Sequence, residues 1–247
     1  MNLTGRVAVV TGASSGLGAA TARALAGAGV RVALLARRLD RLHELATSIA
    51  TKGGEALPLA VDVTDATACS AAIRATHDHF GRLDILVNNA GTMDLSAVAG
   101  ATPDAWRQMF ETNVLGLLHV TQPAIAIMRT RRAGHIVNVG SILARVPLPN
   151  FTGYSMTKAA VERFTEGLRK ELFNDRIRVT TISAGLAATE ITSGIRNDTI
   201  REAARNARSK LEMLEAEDIA AAILYAVSQP ERVSVSDIVI RPTAQEN

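Results

Sequence analysis

The sequence predicts an α/β protein, a single doubly wound domain whose parallel seven-stranded sheet carries helices on both faces. Seven short runs of aliphatic and β-branched residues recur along the 247 residues, and most are separated by longer stretches with apolar residues at helical spacing. No internal repeat, low-complexity tract or Pro/Ser-rich linker divides the chain, so residues 1–247 read as one unit.

Composition narrows the function classes. At 47% hydrophobic residues the chain can bury a substantial core. Lys and Arg number 27 against 24 Asp and Glu, a formal charge of +3; so small an excess is no basic stripe, and nucleic acid is not an expected partner. The single cysteine, Cys69, has no disulfide partner and no thiolate cluster around it, so no metal is expected. No basic leader with an apolar segment precedes the first strand, and no uninterrupted apolar span occurs. The expectation is a soluble cytoplasmic protein with no membrane partner.

The first strand, "RVAVVT" (6–11), runs into "TGASSGLGAA" and an Ala-rich helix. Gly12, Gly16 and Gly18 bracket the turn, where a tight backbone lets a pyrophosphate approach and the new helix N-terminus offers free N–H donors. Strand-to-helix loops also carry glycines for structural reasons, but the context on both sides favours a nucleotide. Gly12, Ser14, Ser15, Gly16, Leu17 and Gly18 are therefore cofactor-binding candidates. The second strand, "VRVALLA" (30–36), ends in Ala36, where an acid would hydrogen-bond the adenosine ribose; Arg37 and Arg38 follow. The missing acid and the two arginines favour NADP(H) over NAD. Asp40 is expected on the next helix, within "RLDRLHELATSIATKG".

The third strand, "ALPLAV" (56–61), leads into "VDVTD". Asp62 is placed to accept from the adenine amino group and Val63 to back the ring, while Thr64 or Asp65 is the better helix cap. The fourth, "LDILVN" (83–88), ends in "NNAG", whose Asn89, Ala90 and Gly91 are expected along the cofactor channel or in a plain turn. Thr102-Pro103-Asp104 marks a helix start. "GHIVNVG" (134–140), "IRVTTIS" (177–183) and "VSDIVI" (235–240) complete the strands. Gly185 to Leu211 is too long for an ordinary connection and is expected to form a partly helical lid.

Ser141 terminates the fifth strand, and Tyr154 and Lys158 stand four residues apart on a helix expected to begin near Phe151 or Thr152. All three can meet at the carboxyl edge of the sheet, where open α/β folds bind ligands. Tyrosine chemistry near neutrality needs a fall of about three pH units from about 10, or roughly 4 kcal/mol. An ammonium about 4 Å away supplies roughly that amount at an effective dielectric of about 20. A lone Tyr/Lys pair is more often a surface contact; the serine and the glycine loop argue otherwise.

"TGASSGLG" (11–18), "NNAG" (88–91), Asn113 in "ETNVLG", Ser141 and "YSMTK" (154–158) together resemble the short-chain dehydrogenase/reductase family, from Leu3 to the C-terminal region. The resemblance implies a Rossmann-fold oxidoreductase of the carbonyl/alcohol class. In it Tyr154 exchanges a proton with the substrate oxygen, Ser141 orients the carbonyl, and Lys158 holds the nicotinamide ribose while lowering the tyrosine pKa. It also implies that Asn113 anchors a water-mediated proton relay, that Thr189 contacts the carboxamide, and that the protein is a homotetramer built on helices around 103–131 and 152–173. Gly185 follows Ala184, where the family commonly has proline; the freed N–H is expected to loosen the loop. Ser15 stands where many NADP-dependent members have a basic residue, leaving Arg37 and Arg38 to select the 2′-phosphate. "LLARRLDRL" and the ending "DIVIRPTAQEN" are similar to a subgroup that includes clavulanate-type aldehyde reductases and 3-hydroxy acid or serine dehydrogenases.

The expected activity is reduction of a small aldehyde or ketone. Nucleotide-sugar epimerases or dehydratases share the glycine loop and the Tyr/Lys pair but normally need a substrate domain that 247 residues are not expected to provide. A catalytically silent NADP(H)-sensing regulator is the other alternative. Met93, Ile142, Leu143, Phe151, Leu186 and Ile191 are expected to line an apolar pocket or to be ordinary core, and Arg196 and Arg201 to meet an acidic substrate or solvent.

Overall fold

The computed structural model describes residues 2–208 and 212–245. The first half runs β1 (Val7–Thr11), α1 (Gly16–Gly27), β2 (Arg31–Ala36), α2 (Leu39–Ala50), β3 (Ala56–Ala60), α3 (Ala66–Phe80) and β4 (Ile85–Asn88). The second runs α4 (Pro103–Phe110), α5 (Gly116–Arg131), β5 (Gly134–Ser141), α6 (Thr152–Glu171), β6 (Ile177–Ala184), α7 (Asp198–Arg208), α8 (Ala216–Ser228) and β7 (Asp237–Ile240). All seven predicted runs are strands. They pair in parallel in the order β3-β2-β1-β4-β5-β6-β7. Pro58 lies in β3, an edge strand, where the ladder tolerates a residue without an N–H.

Period-two alternation sends successive residues to opposite faces. In β1, Ala8 and Val10 pack with Leu25 of α1, Leu42 and Leu45 of α2 and Ile223 of α8. Val7 and Val9 pack on the other face with Ile73 of α3, Val120 of α5 and Leu168 of α6. Both faces are covered, which is why the strands read as continuous apolar runs. A polar seam crosses the second face: Asn88 Nδ2 donates to Thr121 Oγ1 and Asn138 Oδ1, both at 2.9 Å, and Asn138 Nδ2 donates to Thr165 Oγ1 at 2.9 Å. It fixes β4 and β5 against α5 and α6, the helix that carries Tyr154 and Lys158.

Two local features bear on the site. The helical stretch 103–131 is not uniform: Glu111–Leu115 forms a π-helical turn between α4 and α5, with Asn113 buried in it. Ala184, where the family commonly has proline, is the last residue of β6. That residue pairs with Ser141 and with Ile240, and the Gly185 N–H donates to Ile240 O at 2.7 Å. The expected lid contains a short 3-10 turn at Glu190–Gly194 and then α7; its positions 209–211 lie outside the described residues. Among the described residues no helix is long and apolar enough to cross a membrane.

Candidate active site

The strand order reverses direction between β1 and β4, and the loops leaving their carboxyl ends part there. A cavity of about 1190 Å³ opens along that edge. Thr11 Oγ1 accepts from the Asn89 and Ala90 N–H groups at 3.0 Å, and Asn89 Nδ2 donates to Thr11 O at 2.9 Å, so the "NNAG" turn ties β4 to β1.

The glycine loop is shaped for close approach. Gly12 has φ +66°, and a Cβ there would stand 2.9 Å from Ala90 Cα. A Cβ on Gly18 would come within 2.3 Å of Gly12 O, so Gly18 lets α1 press on its own loop. Ser15 precedes α1 without capping it, leaving the first-turn N–H groups directed at the cavity. Gly12, Ser14, Ser15, Gly16 and Leu17 line the cavity; Gly18 lies behind them. A cradle that admits no Cβ, an open helix N-terminus and an elongated cavity fit a dinucleotide.

At the far end of β2, Arg38 lies over the loop. Its Nε and Nη2 donate to Ser14 Oγ at 3.2 and 3.0 Å, and Nη2 also donates to Ser15 Oγ at 2.8 Å. Ser15 therefore holds the arginine in place of being one. Arg37 lies at the rim, 4.0 Å from Asp62. Asp62 Oδ1 accepts from the Thr64 N–H and hydroxyl, Val63 lines the wall beside it, and Asp65 caps α3 through Ala68 N–H. Asp40 lies in the first turn of α2 as expected. Arg41, missed at the sequence level, joins Arg38 on Glu190 at 3.1 Å; its spacing of three residues from Arg38 on α2 was the available signal.

At the other end Ser141, Tyr154 and Lys158 line the same cavity, each buried. Ser141 Oγ accepts from Leu143 N–H at 3.2 Å and is hydrogen-bonded to Tyr154. Lys158 Nζ donates to Val139 O at 2.8 Å and stands 5.8 Å from the centre of the Tyr154 ring. Burial raises the Tyr154 pKa above its ordinary value, opposed by the Ser141 hydrogen bond. Burial also lowers Lys158 to about 8. The expected lowering of the tyrosine pKa by the lysine is not seen on this chain's own groups, where burial is the largest cause.

Asn113 does not line the cavity. Its Oδ1 accepts from Thr92 N–H at 2.8 Å, and Nδ2 donates to Thr92 O at 2.9 Å and Thr157 Oγ1 at 3.0 Å. The π turn thus joins the segment after "NNAG" to α6 one residue before Lys158. Asn89, Ala90, Gly91, Gly185 and Thr189 line the cavity between its two ends. Gln245 was invisible to the sequence reading; its Oε1 accepts from Leu186 N–H at 3.0 Å.

All six predicted pocket residues, Met93, Ile142, Leu143, Phe151, Leu186 and Ile191, line the cavity. Arg196 and Arg201 do not. Arg196 is held by Asp94 and Gln108, and Arg201 pairs with Asp198 and donates to Ile195 O, so the lid arginines brace the lid.

The fold, the nucleotide cradle and the Ser/Tyr/Lys cluster define a nicotinamide-dependent oxidoreductase. The chain belongs to the short-chain dehydrogenase family, whose profile matches residues 6–200. An uncharacterised oxidoreductase of Staphylococcus saprophyticus is 36% identical over 251 residues, covering 99% of this chain and 98% of the relative. Two solved structures are similar throughout. The closed form of serine dehydrogenase complexed with NADP+ has 29% identity and a TM-score of 0.91, covering 98% of this chain and 96% of that one. L-sorbose reductase from Gluconobacter frateurii complexed with NADPH and L-sorbose has 31% identity and a TM-score of 0.87, each chain covered at 100%. The chain is thus an oxidoreductase acting on CH–OH and C=O groups.

Proposed function

We propose that the protein is an NADP(H)-dependent reductase of small aldehydes or ketones with an apolar body. The observation that carries this is one continuous cavity with Arg38 and the glycine loop at one end and Ser141, Tyr154 and Lys158 at the other. The adenosine half would lie between Arg38 and Asp62, the pyrophosphate on the Gly12–Leu17 loop, and the nicotinamide half beside Gly91, Lys158, Gly185 and Thr189. NADP-bound relatives support the same choice of cofactor.

When bound, the cofactor supplies a hydride to the carbonyl carbon. The Tyr154 hydroxyl donates its proton to the carbonyl oxygen as negative charge develops there. The hydroxyl carries the proton this step needs; burial, which raises its pKa, makes it a weaker acid, and the Lys158 ammonium 5.8 Å from the ring centre works against that shift. The Ser141 hydroxyl, fixed by Leu143 N–H, supports the same oxygen. Lys158, anchored on Val139 O, keeps a positive charge beside the ring. Asn113 acts as a positioning residue, holding Thr92 against α6 and so keeping the proton path from Tyr154 in register.

The substrate end is walled by Met93, Leu95, Ile142, Leu143, Phe151 and Ile191, which selects an apolar body around the carbonyl. The test is loss of reduced-nicotinamide absorbance with NADPH or NADH against aldehydes, ketones and keto acids. Turnover with NADPH on apolar aldehydes or ketones is the expected result. NADPH binding with no turnover on any carbonyl would favour the sensing regulator. The same reading takes the protein as a homotetramer: Leu115 and Met156 are 40% and 45% exposed on the helices expected to associate. An active monomer in sedimentation would contradict it.

A further inference from the structure

Arg38 and Arg41 share one anion, and it comes from the lid. Glu190 Oε2 accepts from Arg38 Nη1 at 3.2 Å, and both its oxygens accept from Arg41 Nη1 at 3.1 and 3.2 Å. Arg38 Nε and Nη2 donate to Ser14 and Ser15. Glu190 opens the turn 190–194, whose neighbour Thr189 sits over the glycine loop, 3.6 Å from where a Cβ on Gly16 would be. The segment ends on Ile195, buried with Met93, Leu95, Met109 and Tyr154 at the substrate end. One short segment therefore touches the adenosine end of the cavity through Glu190 and lines the substrate end through Ile191, with Ile195 packed in the cluster behind it.

We propose that Glu190 is a resident anion on the 2′-phosphate subsite: a 2′-phosphate must displace it from Arg38 and Arg41, and its displacement releases segment 189–195. This rests on the NADP(H) reading above. A carboxylate held on Arg38 and Arg41 repels a phosphate of like charge that approaches the same guanidiniums. The phosphate carries more charge and can accept from both forks at once, so it wins the exchange. A cofactor without the 2′-phosphate leaves the clasp closed. Cofactor choice is thereby coupled to the wall of the substrate pocket, and Glu190 is a specificity-determining residue that acts by competition.

The experiment uses ligands that lack the nicotinamide half. Binding of adenosine 2′,5′-bisphosphate and of 5′-AMP is measured calorimetrically on the wild type, Glu190→Gln and Arg38→Ala, with hydrogen exchange followed over residues 186–195. The ion pairs are half-exposed, so Glu190→Gln is expected to tighten the bisphosphate about three- to tenfold and leave 5′-AMP unchanged. The bisphosphate, not 5′-AMP, should speed exchange over 186–195 in the wild type, and in Glu190→Gln exchange should be fast from the start. Unchanged or weaker bisphosphate binding in Glu190→Gln, with Arg38→Ala still losing the bisphosphate selectively, would overturn the clasp and leave the NADP(H) reading standing. A wild type that binds both ligands equally would overturn both.

Discussion

At the amino end of the sheet Asp84 is buried among partners: Arg82 at 2.5 and 2.6 Å, Arg131 at 3.3 Å and the Val7 N–H at 2.9 Å. At the carboxyl end Tyr154 and Lys158 are as deeply buried, but their charged forms have few partners. The pKa directions follow. Burial alone would raise Asp84, yet the Arg82 hydrogen bonds, the Val7 N–H and the arginine charges hold it below its ordinary value. Tyr154 and Lys158 are both shifted toward the neutral form by burial. A buried group whose charge is answered by the protein is part of the scaffold. One left unanswered beside a cavity is ready to exchange a proton with what enters it.

Removing the working group at the carboxyl end should cost most in rate and little in stability. Tyr154→Phe is expected to lower turnover roughly 10²- to 10⁴-fold, read in steady-state assays, with cofactor affinity unchanged. At the amino end the pattern inverts. Asp84→Ala strips the shared anion from Arg82 and Arg131 and should destabilise the fold by about 2–3 kcal/mol in urea titrations, with turnover per folded molecule preserved.

His135 sharpens the contrast, because it belongs to the scaffold but its charged form has no answering group. Thr180 Oγ1 donates to Val235 O at 2.5 Å and so accepts the His135 Nε2–H at 2.7 Å, leaving Nδ1 buried and unpartnered. Burial, with the charges of Arg178 and Arg6, lowers its pKa from 6.5 to about 3. Between those values the unfolded chain takes up a proton that the folded one refuses, so stability falls as pH falls. The slope is about 1.4 kcal/mol per pH unit, or roughly 2 kcal/mol between about pH 6.5 and 5. His135→Asn should flatten that limb in urea midpoints. The smallest effect is expected at the half-exposed Arg38. Arg38→Ala should weaken NADPH binding about tenfold and leave NADH untouched in equilibrium titration.

The fold was legible because both faces of the sheet are covered, which writes each strand as an apolar run between helical stretches. The proposed catalytic cluster was legible because Tyr154 and Lys158 share one helix and Ser141 ends a strand, so local geometry brings them together. What was hidden depends on distant chain segments or on backbone geometry. Glu190 meets Arg38 across 152 positions, and Gln245 meets Leu186 across 59. The π turn at Asn113 hides in "ETNVL", which reads as ordinary helix. Burial of the tyrosine and the lysine, which opposes the charged form of each, comes from the whole fold and is not written in their spacing.

The central claim, that Tyr154 is the proton donor of a carbonyl reduction, is tested most directly by comparing wild type and Tyr154→Phe on one apolar aldehyde with NADPH. Cofactor binding to both proteins is measured by equilibrium titration with NADPH. The predicted result is intact binding in each protein and turnover only in the wild type. Turnover in Tyr154→Phe within about tenfold of wild type, below the loss expected for a missing general acid, would contradict it.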